Sequence, residues 1–181
     1  MVEYEVVNDK EIIISFSNEL SKHVYKPFFY KKLRHLKQAK TVDEFNELFN
    51  KMEQKRSFQY ATYLLSKRSY GSNELKAKLL SRFISEESST LAIEKCLQCG
   101  YIDDEALVVA YVRRELRKGY GPKILIRKIA FKLRIEQEFI QNIYDMQITD
   151  EELLEHKERV IAKKKFSDPY KERQYLYKRG F

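Results

Sequence analysis

A dense set of basic side chains is the feature of this sequence with the clearest chemical use. Residues 113–134 contain nine Lys and Arg side chains against a single acidic one, Glu115. The chain of 181 residues has a formal net charge of +8, whereas residues 1–50 carry eight basic and eight acidic side chains. The excess charge is therefore concentrated, which predicts a surface that binds a polyanion, either nucleic acid or an acidic protein. The alternative is an ordinary solvated face of charge.

The spacing of these cations predicts where they lie on two consecutive helices. At about 100° per residue, Lys123, Arg127 and Arg134 share one face of a helix whose opposite face is apolar. On the preceding helix Arg113 and Arg117 lie one turn apart, as do Arg114 and Lys118, and we expect the turn to bring both helices' cations towards one end. Such a patch contacts phosphates rather than bases. The candidate binding residues are Arg113, Arg114, Arg117, Lys118, Lys123, Arg127, Lys128 and Arg134.

Two other pairs have spacings that chemistry uses, and both favour a structural interpretation. Cys96 and Cys99 have the C-x-x-C spacing of redox and zinc motifs, but no βαβ pattern surrounds them and the histidines lie far away in sequence. We expect both sulfurs to face a core, with a redox enzyme as the minor alternative. Asp103 and Asp104 are neighbours at a helix start and point in different directions, which disfavours acid–base catalysis. The sequence therefore predicts no enzyme, no catalytic residue, no metal site and no cofactor.

Two short blocks with glycine and tyrosine separate the predicted helices. They are residues 100–104 (Gly-Tyr-Ile-Asp-Asp) and 118–122 (Lys-Gly-Tyr-Gly-Pro). In each, Gly ends one helix, Asp or Pro begins the next, and the tyrosine ring covers the joint. Residues 102–105 (Ile-Asp-Asp-Glu) reappear 46 positions later as residues 148–151 (Ile-Thr-Asp-Glu), and such a constant offset indicates a tandem repeat. The structural-motif residues are Gly100, Tyr101, Asp103, Asp104, Gly119, Tyr120, Gly121 and Pro122.

The repeat and the hydrophobic periodicity together predict the architecture. We expect a mainly α protein of tandem three-helix, helix-turn-helix-like repeats in an elongated, curved array. A small N-terminal extension precedes them, with a β-hairpin over the alternating residues 2–16 and a helix that starts at the capping box of residues 41–44. The predicted boundaries are 1–54 for the extension, 55–101 for repeat 1, 102–147 for repeat 2 and 148–181 for repeat 3, which lacks its last helix.

Composition adds expectations about protein class and compartment. The residues are 43% hydrophobic and 34% charged, with five Gly and three Pro, as in a globular helical protein rather than a disordered one. No stretch approaches the roughly 20 apolar residues of a membrane span, and the start lacks the layout of a secretory signal. Two cysteines offer no disulfide framework. We therefore expect a cytoplasmic monomer with no membrane partner.

The repeated blocks resemble those of the RecX family, regulatory proteins that act on the recombinase RecA. Residues 100–104 and 118–122 stand where family members carry Gly-Tyr-x-Asp-Asp and Lys-Gly-Tyr-Gly-Pro. Residues 68–75 (Arg-Ser-Tyr-Gly-Ser-Asn-Glu-Leu) resemble a stretch of the family's first repeat, and residues 178–181 (Lys-Arg-Gly-Phe) resemble the basic-Gly-aromatic end of a repeat's second helix. The likeness covers about residues 56–181.

This resemblance implies a non-enzymatic regulator of recombination, DNA repair and the SOS response. Family members lie in the groove of the RecA–DNA filament and inhibit its ATPase, its strand exchange and its growth. The implied partners are the RecA filament and single-stranded DNA, contacted directly or through the filament. The alternative is a stand-alone basic helical protein that binds DNA or RNA and does not act on RecA.

Overall fold

The chain folds as two compact units, Met1–Ile102 and Asp103–Phe181. The computed structural model describes residues 1–17, 19–164, 166 and 168–181. This described part is mainly helical with one small N-terminal sheet, which confirms the predicted fold class. Among its helices, none combines the length and the apolar character that crossing a bilayer requires.

The first unit begins with a three-stranded antiparallel sheet of β1 (Val2–Val6), β2 (Glu11–Phe16) and β3 (Leu20–Tyr25), in that order. Alternation along β2 turns Ile12 and Ile14 onto a fully buried face. The predicted hairpin corresponds to β1 and β2. The third strand was not predicted, because its centre is polar and only the pairing with β2 reveals it.

A series of helices completes the first unit, and the longest of them crosses a predicted boundary. The hydroxyl oxygen of Thr41 accepts a hydrogen bond from the Glu44 backbone N–H at 3.2 Å, which forms the expected N-cap. The helix that follows continues without a break through residue 54, where the sequence analysis ends the extension, so the extension and repeat 1 share one helix. The division into an extension and three repeats stays a prediction. The helices are α1 (Lys26–Phe29), a 3₁₀ turn (Tyr30–Lys32), α2 (Leu33–Leu36), α3 (Val42–Leu65), α4 (Ser72–Leu80) and α5 (Glu86–Gln98).

Helix α3 supplies side chains to two hydrophobic cores. Its first half packs Phe45 and Phe49 under the sheet, where Phe49 stacks on Phe29 with ring centroids 4.9 Å apart. Its second half places Ala61 in a core formed with α4 and α5. One face of α3 is thus buried throughout, and that fixes which of its side chains point outward.

All of the regular secondary structure described in the second unit is helical. Thr149 forms the predicted capping box: its hydroxyl oxygen accepts from the Glu152 N–H at 3.2 Å, and the Glu152 carboxylate accepts from the Thr149 N–H at 3.3 Å. Leu125 and Ile129 are buried, as their spacing predicted. The helices are α6 (Asp104–Arg117), α7 (Pro122–Leu133), α8 (Gln137–Gln147), α9 (Asp150–Ala162) and α10 (Pro169–Arg179).

Two glycines let the end of α10 contact the loop between α6 and α7. The Gly121 N–H donates to the Arg179 carbonyl at 2.8 Å, and the Lys123 N–H donates to the Gly180 carbonyl at 3.2 Å. A Cβ on Gly121 would lie 2.6 Å from the backbone of Gly180, closer than any side chain allows. Residues 118–122 therefore receive the end of the last helix, a tertiary role that helix capping alone does not explain.

Candidate polyanion-binding surface

A basic cleft of ≈ 280 Å³ lies between α6 and α7 in the second unit. Helix α6 contributes Arg114 and Lys118, one turn apart, and α7 contributes Lys128 and Lys132, also one turn apart. Their opposite faces are held in the core, so the four cations point outward together. We call this the α6–α7 cleft. Its lining residues are Tyr111, Arg114, Glu115, Lys118, Lys128, Ile129 and Lys132.

Glu115 is the one acidic residue lining the α6–α7 cleft, and it is only 5% exposed. Its Oε1 accepts from Lys118 Nζ at 2.7 Å and from Arg114 Nη2 at 3.1 Å. Burial by itself raises the pKa of this carboxyl, but the hydrogen bonds from Lys118 and Arg114 outweigh burial and hold the pKa below its usual range. One carboxylate among four cations leaves the cleft strongly positive.

Tyrosine rings position most of the cations of the α6–α7 cleft. The guanidinium of Arg114 lies 3.9 Å from the ring centroid of Tyr111, with Lys132 Nζ at 5.6 Å from the same ring. Lys128 Nζ lies 3.5 Å from the ring centroid of Tyr120. A hydrogen bond and the positive charge from Lys128 also lower the pKa of the Tyr120 phenol. These cation–π contacts hold flexible side chains in place before any ligand arrives.

The tyrosine–lysine contact recurs in the first unit at the same spacing. Lys78 Nζ lies 5.9 Å from the ring centroid of Tyr70, as Lys128 lies over Tyr120 fifty residues later. In the first unit the closer cation is Arg68, at 3.6 Å from the Tyr70 ring. Lys128 is one of the candidate binding residues from the sequence, but the matching contact of Lys78 with Tyr70 was not predicted. The repeat thus includes a cation–π pair as well as its helices.

Arg113 and Arg117 lie on a different side of α6 from the cleft. Arg113 Nη2 donates to Gln147 Oε1 at 3.4 Å. Both arginines line a pocket of ≈ 280 Å³ that also contains carboxylates, so part of their charge is compensated locally. They are not brought together with Arg114 and Lys118. The pocket is lined by Arg113, Leu116, Arg117, Ile148, Glu152, Glu155, His156 and Arg159.

The outer face of α7 carries Lys123 and Arg127, both exposed, and an aromatic side chain that the sequence analysis missed. Phe131 is 89% exposed, one turn after Arg127. Sequence patterns assign a phenylalanine to the core by default, so only the structure reveals it. The sequence placed Arg134 within this helix, but α7 ends at Leu133, and Arg134 is its C-cap, with a left-handed backbone at φ 57°.

The structural-motif residues mostly have backbone roles. Asp103 Oδ1 accepts from the Ala106 N–H at 2.8 Å and so caps α6, which then begins at Asp104. Gly100 and Gly119 have φ values of +68° and +84°, which L side chains rarely adopt. Tyr101, whose ring we expected to cover the joint between two helices, is 55% exposed.

The cysteine pair is divided between core and surface. Cys96 is buried, but Cys99 ends α5 and is exposed, so the expectation that both face a core is wrong for Cys99. Burial raises the pKa of the Cys96 thiol, which disfavours the reactive thiolate. Across the described residues, no three His, Cys, Asp or Glu side chains gather as a metal site.

Comparison with known proteins identifies relatives of this chain, although no protein-family model matches it. The chain is 26% identical over 143 residues to the regulatory protein RecX of Caldanaerobacter subterraneus subsp. tengcongensis, covering 78% of this chain and 72% of that protein. It is 28% identical to RecX of Legionella pneumophila, covering 70% and 87%. With RecX of Actinobacillus pleuropneumoniae serotype 5b the identity is 32%, over 42% of this chain and half of that protein.

The fold is also similar to that of a solved structure. A crystal structure of regulatory protein RecX matches 100% of this chain and 92% of its own, with a TM-score of 0.63 and 18% identity. The chain is therefore similar in sequence to RecX regulatory proteins, and it shares the fold of a RecX crystal structure.

Proposed function

We propose that this protein binds the RecA–DNA filament and inhibits its ATPase, its strand exchange and its growth, as a regulator of recombination and repair. Similarity to RecX proteins supports this proposal, because these relatives are named as regulatory proteins. The protein acts in the cytoplasm as a monomer, by binding rather than by catalysis and without a cofactor.

The α6–α7 cleft is the surface that we assign to the filament. Its cations are held in place by Tyr111 and Tyr120, so little side-chain freedom is lost when they meet a partner. Lys and Arg side chains neutralise phosphates with little sequence preference, which suits a regulator that must act on any DNA sequence. The same charge also attracts an acidic protein surface and speeds encounter.

The test is RecA ATP hydrolysis on single-stranded DNA, titrated with this protein below one molecule per RecA. We expect strong inhibition by the unmodified chain and much weaker inhibition by Lys128→Gln/Lys132→Gln. A second pair, Lys123→Gln/Arg127→Gln, removes the same charge from the outer face of α7. Exposed Lys163 and Lys171, changed to Gln together, provide the charge-matched control because neither lines the cleft.

The comparison among these variants separates the possible results. Loss of inhibition for the cleft pair alone supports the assignment, whereas loss for the α7 pair alone moves the site to the outer face. Equal losses of inhibition for all three variant pairs would mean that inhibition depends only on the net charge of the protein. An unmodified chain without any effect on RecA would contradict the proposal itself.

One observation favours a second function, direct binding of single-stranded nucleic acid without RecA. Three aromatic side chains beside cations in the second unit are highly exposed: Phe131 at 89%, Tyr170 at 65% and Tyr177 at 77%. Exposed rings on a basic surface stack with unpaired bases. Binding to single-stranded DNA that Phe131→Ala or Tyr177→Ala weakens, in a protein that leaves RecA unaffected, would favour this function.

A further inference from the structure

A second basic groove lies in the first unit, where the sequence analysis placed no binding site. It has a volume of ≈ 490 Å³ and lies between α3 and the short helical segment before it. The segment contributes Lys32 and His35, and the remaining residues come from α3. We call it the α3 groove. Its lining residues are Lys32, His35, Leu48, Lys51, Met52, Lys55, Arg56 and Gln59.

The helical spacing of α3 produces this groove. Phe45, Phe49, Glu53, Ser57 and Ala61 recur every four residues and turn one face of the helix into the cores. The groove residues of α3 run from 48 to 59 at i, i+3, i+4, i+7, i+8 and i+11, so they form a continuous stripe beside the buried face.

The charge of the α3 groove has one sign. No carboxylate is among its lining residues. Within the described parts of the chain, Lys32, Lys51 and Lys55 form no ion pair, and the Arg56 guanidinium donates only to the neutral Gln59 Oε1, at 2.9 Å. In the α6–α7 cleft, by contrast, Glu115 forms ion pairs with two of the cations. Four cations without a counter-charge predict an anionic ligand.

The floor of the groove is apolar. Leu48 and Met52 are half-buried, pack against the core beneath the sheet and expose the rest of their surface to the groove. An apolar floor inside a cationic rim fits a ligand with a flat apolar part and an anionic part, and a methionine thioether contacts aromatic rings favourably. An inorganic anion would contact only the cations of the rim.

Lys51 and Lys55 also line a second groove of ≈ 540 Å³, between α3 and α5. There Lys95 Nζ lies 4.5 Å from the ring centroid of Phe58, which adds another cation and a partly exposed ring. The two lysines stand between the grooves and serve both. A ligand with repeated phosphates can therefore continue from one groove into the next.

We propose that the α3 groove binds nucleoside phosphates, with the base over Leu48 and Met52 and the phosphates among Lys51, Lys55 and Arg56. The ligand is either a free nucleotide or the nucleotide units of a single strand, since both present the same chemistry. This site does not rest on the proposed regulation of RecA, because it concerns the other unit and needs no filament.

The experiment measures ligand binding to the full chain by calorimetry and by amide chemical shifts, without RecA. The probes are ATP, pyrophosphate and a short oligothymidylate. We expect Lys51→Gln/Lys55→Gln to weaken binding about tenfold or more, since each hydrogen bond to a charged group contributes that much. Lys37→Gln/Lys40→Gln removes the same charge from exposed positions of the first unit outside the groove and should leave affinity unchanged. Shifts should concentrate in residues 48–59.

Each outcome supports or overturns the proposal. Groove-dependent binding of ATP identifies a free nucleotide as a ligand, and groove-dependent binding of the oligonucleotide alone identifies a strand. Equal affinities for pyrophosphate and ATP would show that the base does not contribute to binding, and this result would overturn the proposal. Equal weakening by both lysine pairs, or absence of binding by any probe, would also overturn it, whatever the effect of the protein on RecA.

Discussion

Replacement of Glu115 by Gln is expected to weaken the fold and strengthen binding at once. The carboxylate is 5% exposed and accepts from both Lys118 and Arg114. An amide of the same shape keeps the packing but removes the negative charge, so both cations lose their ionic partner. They then become available to phosphates, and the α6–α7 cleft gains one positive charge. Stability and affinity therefore change in opposite directions.

The size of both effects follows from the exposure of the partners. Lys118 and Arg114 side chains are 52% and 42% exposed, so solvent screening reduces each pair to well under the value for a buried one. The loss of stability should be ~1–2 kcal/mol. If one or two further phosphates are neutralised, the slope of log K against log salt concentration for single-stranded DNA steepens by about 0.7 for each.

Urea unfolding measures the first quantity, and fluorescence anisotropy with a labelled oligonucleotide at several salt concentrations measures the second. The pH dependence adds a check on sign. The pKa of Glu115 is lowered in the fold, so its contribution is complete above the unfolded pKa of about 4.3 and is lost as the pH falls through the folded value. The variant should lack this part of the acid sensitivity.

Glu158→Gln is the matched control, since Glu158 is exposed on α9 and does not line the cleft. It raises net charge by the same amount without freeing the cleft cations. If the two variants bind DNA with the same affinity and the same salt slope, only overall charge matters and the reasoning is refuted. A Glu115 variant that loses stability and gains no affinity would show that phosphates do not enter the cleft.

Three other predictions concern residues of the second unit, with Gly100→Ala in the first unit as a comparison. Gly121→Ala should lower the free energy of unfolding by ~2–4 kcal/mol and raise hydrogen exchange in α10, because its Cβ would meet the Gly180 backbone at 2.6 Å. Gly100→Ala should lower it by only ~1 kcal/mol, because no atom lies within 4 Å of the added Cβ. Tyr144→Phe should leave stability unchanged or raise it by ~1 kcal/mol in urea unfolding, because burial raises the phenol pKa to about 12 and its hydroxyl has no hydrogen-bond partner among the described residues. Burial lowers the pKa of His156, and nearby cations lower it further. Stability should therefore decline as the pH falls below about 6.5. The variant His156→Gln should show a smaller decline.

The elements that local sequence determines were predictable. Thr41, Asp103 and Thr149 act as N-caps because each places an oxygen near a free N–H within its own segment. Leu125 and Ile129 are buried because helical periodicity reports the core face directly. The third strand was not predictable in the same way, since its identity depends on pairing with β2 rather than on its own residues.

The candidate site was predictable in charge but not in grouping. Residues 113–134 are basic in any conformation, yet which cations lie together depends on how α6 packs against α7 and α9. That packing separates Arg113 from Arg114 although they are adjacent in sequence. The α3 groove was missed for a related reason, because its cations are spread over residues 32–56 and form one surface only after folding.

The residues that follow α4, α7 and α10 share a left-handed backbone but have different surroundings. Phe83 after α4 and Arg134 after α7 adopt left-handed φ values of 56° and 57°, at a cost of about 1 kcal/mol for a side chain that is not glycine. Gly180 after α10 has φ 91°, and a Cβ there would lie 2.7 Å from the Ile124 nitrogen. A left-handed residue after a helix can carry a side chain, as Phe83 and Arg134 demonstrate. The close contact with α7 is what requires glycine at position 180, after α10. The basic-Gly-aromatic ending is therefore a docking element for residues 118–122.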